Sequence, residues 1–211
     1  LDGRVDHEDS LGHKGIIGPG EVQWMTAGSG IVHEEMPQKS ERLDGLQLWA
    51  NLPRAQKMCA PKYRDVKASD IPWVELGQGA KAKVLCGEVA GLRGPVDDIV
   101  TGPRYLDVYL EPEALLELAV AAERNGFAFG LSGQLTVGKQ ADALGPNQLA
   151  ILGAGELTLW TAGAAGARFI LVDGKPLAEP VAWGGPIVMN SEEELQRAFD
   201  EYRQGTFLKH K

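Results

Sequence analysis

The chain has 211 residues, 44% hydrophobic and 24% charged, with 27 glycines, 12 prolines and a formal net charge of −8. That supports one large core or two modest ones in a fold with many turns, and excludes a direct grip on nucleic acid, which needs a basic face. Two cysteines without paired spacing, Cys59 and Cys86, exclude a disulfide framework or a thiolate zinc site and suit a reducing, cytoplasmic setting. No apolar run is long enough to span a bilayer, and no signal-peptide pattern opens the chain, so no membrane partner is expected. The densest basic stretch, Lys57, Lys62, Arg64 and Lys67, is broken by Met58 and Asp65 and reads as solvated surface.

Short apolar runs alternate with Gly- and Pro-rich turns and predict strands at Ile16-Ile17, Val22 to Met25, Ile31-Val32, Leu46 to Trp49 and Val84-Leu85. Further strands are predicted at Tyr105 to Leu110, Phe127 to Leu131, Leu149 to Leu152, Leu157 to Trp160 and Phe169 to Val172. Regular spacing of such runs points to an all-β barrel or sandwich. Trp24, Trp49 and Trp160 lie inside these runs and are expected in the core. Glu113 to Arg124 has strong helix formers, but Leu116, Leu118 and Val120 alternate, and the segment is assigned as strand and loop. A C-terminal helix is expected from about Ser191 to Gln204. Asn190-Ser191 supplies caps, three glutamates follow at the positive end of the dipole, and Leu195, Phe199 and Tyr202 recur at helical spacing.

An internal repeat organises the chain. Leu1-Asp2-Gly3-Arg4-Val5 resembles Leu131-Ser132-Gly133-Gln134-Leu135 at an offset of 130, and Gly18-Pro19-Gly20-Glu21-Val22 resembles Gly145-Pro146-Asn147-Gln148-Leu149 at an offset of 127. Two matches in one order indicate two copies of one β unit. In the second copy, strand-like sequence from Pro103 to Gly130 precedes Leu131, whereas the first copy starts at Leu1. The expectation is a first barrel without its opening strands, the gap being left by absent residues or filled by another chain.

The histidines are His7, His13, His33 and His210, so the second copy offers no imidazole and a histidine-based site must lie in the first. His33 and Glu35 stand two apart, which on a strand sends both side chains to one face. An imidazole and a carboxylate suit iron, manganese, zinc or nickel; the same pair also reads as an exposed, polar strand end. His7 among acids and His13 in a Gly-flanked turn read as structural, and His210 as tail. No Gly-x-Ser-x-Gly elbow, histidine-paired cysteine or lysine-bearing phosphate loop is present.

The run from Pro19 to Pro37, with Gly28-Ser29-Gly30 and Ile31-Val32-His33-Glu34-Glu35-Met36, closely resembles the signature of the pirin family. Leu1-Asp2-Gly3, His7 to Ser10, Gly12-His13, Leu46 to Pro53, Gly174 to Leu177 and Gly185 to Asn190 resemble it too. The resemblance implies a bicupin: two β-barrels, here residues 1–98 and 99–211 with the C-terminal helix, of which the first holds a metal. The family's ligands are three histidines and a glutamate. His33 and Glu35 match the third histidine and the glutamate; the family's His-x-His motif, upstream of the Leu-Asp-Gly turn, is not in this sequence. The 211 residues alone are therefore expected to hold iron, or manganese, zinc, nickel or copper in its place, weakly.

Beside a retained bicupin scaffold whose natural ligand is unknown, two functions follow from the resemblance. One is a quercetin 2,3-dioxygenase acting on a flavonol, with Glu35 as the base that takes the substrate's hydroxyl proton. The other is an iron-dependent regulator that binds transcription factors or metabolic enzymes without catalysis, a role the acidic charge suits better than contact with DNA.

Overall fold

The structure is a computed structural model that describes residues 2–210, so Leu1, the first residue of the predicted repeat, lies outside the described residues. The chain divides into two compact units, residues 1–68 with 177–211 and residues 69–176. The first unit opens with β1 (Val5–Asp9), β2 (Lys14–Ile17), β3 (Val22–Thr26), β4 (His33–Pro37) and β5 (Lys62–Val66), paired in the orders β2-β1-β4 and β3-β5.

The second unit contains β6 (Trp73–Gly77), β7 (Ala80–Cys86), the short hairpin β8 (Glu88–Val89) and β9 (Leu92–Arg93), then β10 (Arg104–Leu110) and β11 (Leu115–Ala119). It continues with β12 (Asn125–Val137), β13 (Asp142–Leu144), β14 (Leu149–Ile151) and β15 (Leu157–Gly174). Eight of these strands form one sheet along β13-β12-β15-β10-β7-β6, with β11 on β15 and β14 on β12. The first unit closes with the hairpin β16 (Ala182–Gly184) and β17 (Ile187–Met189), followed by α1 (Glu192–Arg203). The architecture is all-β with a C-terminal helix, as the sequence predicts.

Alternation decides which residues enter the second unit's core. Val84, Leu106, Val108, Leu116, Phe169 and Leu171 are almost wholly buried around Trp160, whose ring stacks on Phe169 at 4.6 Å. The indole N–H is satisfied by the Thr158 hydroxyl at 2.9 Å, as a buried tryptophan requires. The Glu113–Arg124 segment contains β11, with Leu116 and Leu118 buried and Leu115 exposed. Here the period of two overrides helix propensity because each inward leucine faces β15.

The repeat is visible in the backbone. Gly18-Pro19-Gly20-Glu21 and Gly145-Pro146-Asn147-Gln148 make matching turns, closed by Glu21 N–H to Gly18 C=O at 3.1 Å and Gln148 N–H to Gly145 C=O at 3.3 Å. Gly20 and Asn147 sit at the left-handed position, with φ of 74° and 60°, which a type II turn demands of its third residue. Each turn's last side chain reaches back: Glu21 Oε2 accepts from Gly18 N–H and Gln148 Oε1 from Gly145 N–H, at 2.9 and 2.6 Å. The orders β2-β1-β4 and β13-β12-β15 also correspond.

Three predicted features need correction. Leu46 to Trp49 is not a strand: its alternation supplies a period, but no strand among the described residues pairs with it. Trp49 accordingly lies 54% exposed instead of in the core. Ile31-Val32 precede the ladder, which starts at His33, and Leu157 to Trp160 and Phe169 to Val172 belong to one long strand.

The two turns make a built-in comparison. Gly18 N–H, followed by the nearby Lys67 ammonium, holds the Glu21 carboxyl below its usual 4.5 against the opposing effect of burial. Its contribution to stability is therefore complete above pH about 4.5 and is lost as the pH falls through the depressed folded value. Glu21→Gln should keep the turn, as Gln148 does, cost under about 1 kcal/mol at neutral pH and flatten the acid limb of urea-unfolding stability measured from pH about 5 to about 3.

Candidate functional site

His33 and Glu35 occupy the first and third positions of β4, so their side chains leave the same face. His33 Nδ1 lies 3.6 Å from Glu35 Oε1, with the two side chains 33% and 35% exposed. Two donors sharing an ion at bond lengths of about 2.1 Å are about 3.0 Å apart at a right angle and about 3.6 Å apart at 120°, so the pair fits adjacent positions of a wide-angled, tetrahedral or trigonal shell better than octahedral cis positions. No group of three or more His, Cys, Asp and Glu side chains comes together around a common point among the described residues.

The neighbouring strand explains which groups are free to coordinate. β1 runs antiparallel to β4 with Asp9 opposite His33 and His7 opposite Glu35, which puts all four side chains on one face. The β1 pair is occupied. Asp9 accepts from the backbone N–H of Leu11 and of His13 at 2.8 and 3.0 Å and pairs with His13 Nδ1 at 2.8 Å. Burial would raise the Asp9 carboxyl, but these bonds together hold it below its usual value.

His7 is almost wholly buried, its Nε2 2.6 Å from the Tyr63 hydroxyl. Tyr63 gives its single proton to Asp65, so His7 must donate from Nε2. Burial and the Asp65 carboxylate push the Tyr63 hydroxyl well above its ordinary range and keep it protonated. His13 stacks on the Tyr63 ring at 5.0 Å. His7 and His13 are thus locked into a structural network, whereas among the described residues the side-chain partner of His33 is Glu35. Sequence reasoning did not find Tyr63 or Asp65; their strand, β5, is far along the chain and reaches His7 only through folding.

Backbone packing positions β4. Val32 and Ser10 are doubly linked just ahead of His33, by Ser10 N–H to Val32 C=O at 2.8 Å and Val32 N–H to Ser10 Oγ at 3.1 Å. Before them, Ser29 N–H donates to the Cys59 carbonyl at 2.8 Å. The second copy lacks a comparable pair. Counted from the matched Gly-Pro turns, His33 and Glu35 fall at Trp160 and Ala162, which are 0% and 2% exposed in that unit's core.

Comparison with known proteins places the fold among described families. The pirin family's sequence pattern matches residues 1–50, and that of the "Pirin C-terminal cupin domain" matches residues 105–208. The chain is 39% identical to a pirin-like protein of Caulobacter vibrioides, over 98% of the chain and 75% of that protein. It is 39% identical to Pirin-1 of Arabidopsis thaliana, over 96% and 71% respectively. Among solved structures, a quercetin 2,3-dioxygenase from Acinetobacter baumannii superposes with a TM-score of 0.87 at 30% identity, covering 98% of this chain and 73% of that one.

The hydroxyl that joins His7 to Asp65 carries a direct test of the network. Tyr63→Phe leaves the buried His7 N–H without an acceptor and should lower unfolding free energy by about 1–3 kcal/mol in urea titrations.

Proposed function

This chain belongs to the pirin family, and on that premise we propose that His33 and Glu35 are two ligands of a divalent metal, iron first, at which a flavonol is oxygenated. The observation that carries the proposal is the convergence of one imidazole and one carboxylate, 3.6 Å apart on one strand face and each partly exposed. A borderline imidazole with a hard carboxylate suits iron, and manganese, zinc, nickel and copper would compete for the same atoms. The similarity to a quercetin 2,3-dioxygenase at 30% identity supports the substrate class.

When bound, iron would supply Lewis acidity and a common meeting point for the flavonol oxygen and dioxygen. This chain's residues do the rest. His33, neutral, offers a ring nitrogen, and its neighbour Glu35 sets the local negative charge. Glu35 has a second carboxylate oxygen, and being partly exposed it can reach a substrate hydroxyl and accept its proton. Neither His7 nor Asp9 competes for that proton, because each is held in its own hydrogen bonds.

Oxygen uptake with quercetin as substrate, in iron-loaded protein, tests the reading. Glu35→Gln should lower turnover by about 100-fold or more while retaining some metal, and His33→Ala should weaken metal binding by at least about tenfold. Wild-type turnover in Glu35→Gln would remove the carboxylate from the chemistry. Absent turnover in the parent, with metal bound at His33, would favour the regulatory role.

A further inference from the structure

We propose that Phe207, in the tail beyond α1, is a positioning residue for the His33–Glu35 pair; the inference rests on the metal reading given above. The ring and the backbone of Phe207 lie directly on Gly30. A Cβ placed on Gly30 would stand 2.9 Å from Phe207 Cε1 and 3.1 Å from its carbonyl oxygen. Two residues earlier the same turn abuts Cys59, whose carbonyl oxygen would be 2.2 Å from a Cβ on Gly28. The segment from 28 to 30 is therefore packed against both the loop before β5 and the tail beyond α1.

Phe207 is itself held from behind. Thr206 N–H donates to Glu201 C=O at 2.9 Å, and Lys209 Nζ reaches Glu201 Oε2 at 2.9 Å and Thr206 C=O at 2.8 Å. Tyr202 meets the Phe207 ring edge-on, with centroids 5.8 Å apart. The tail is thus folded back on the last turn of the helix as a rigid stop. His33 follows Gly30 by three residues, a reach of about 10 Å at most, with only the Ser10–Val32 link between. A shift of the turn toward the space left by a smaller side chain would pass to His33 and then to Glu35. Coordination is sensitive to such a shift, since a ligand must sit within about 0.5 Å of its working place.

The test uses the whole chain and Mn²⁺ as the probe, whose paramagnetism broadens nearby amide signals in NMR even when binding is weak. The midpoint of broadening at His33 and Glu35 is measured together with hydrogen exchange at residues 31–35. Phe207→Ala should raise the Mn²⁺ midpoint about tenfold and speed exchange of those amides, with Phe207→Leu intermediate. Lys209→Ala, which removes only the outer brace, should shift the midpoint less than either. Phe207→Leu carries the same test should Phe207→Ala not fold. An unchanged midpoint in a folded Phe207 variant overturns the proposal, whatever happens to exchange, because a merely structural residue would alter stability alone. Broadening at β4 that survives His33→Ala overturns the metal reading itself, and the proposal with it.

Discussion

The approach of the Cys59 carbonyl to Gly28 is the contact on which the candidate site depends. At 2.2 Å from where a Cβ would stand, with Gly28 at a φ of 53°, the backbone admits no side chain there. Glycine lets two stretches of main chain touch, and the Ser29 N–H bond to the same carbonyl fixes their separation. The turn then delivers β4 at one height and one rotation beside β1. Because side chains alternate along a strand, that rotation decides whether His33 and Glu35 share a face with His7 and Asp9 or oppose them.

The two copies of the β unit show how one backbone plan carries opposite sets of side chains. Both use a Gly-Pro turn with a left-handed third residue and the same three-strand order. The second fills the equivalent face with Trp160, Ala162 and Leu135, all buried. The first fills it with an imidazole and a carboxylate and surrounds them with hydrogen-bonded polar groups. A packed indole leaves no donors and no room; a partly exposed His–Glu pair leaves both. The difference lies in a few side chains, and the shared fold does not predict it.

Polar burial in the first copy follows a consistent rule. The buried groups of β1 and β5 beside the pair have specific partners: Asp9 has two backbone N–H groups and His13, His7 has Tyr63, and Tyr63 in turn has Asp65. Such a network has one satisfied arrangement, so it holds β1 rigid alongside β4. Rigidity next door matters to a two-donor site, which has few bonds of its own to define its geometry.

Much of this was legible along the chain. The helix could be read because its signals are local: Ser191 accepts from Glu194 N–H and the three glutamates sit at its positive end. The repeat could be read because a turn's backbone needs particular residues, and His33 and Glu35 because their spacing is the strand period itself. Leu46 to Trp49 shows the limit, since alternation describes a strand's faces but cannot supply the neighbour whose N–H and C=O groups complete it. Tyr63 at His7 and Phe207 at Gly30 were hidden for the same reason. Local periodicity and capping are properties of consecutive residues, so sequence alone marked most of the elements, the repeat and the spacing of His33 and Glu35. Which distant side chain closes a hydrogen bond or fills the space above a glycine depends on where the chain returns, and only the tertiary structure decided that.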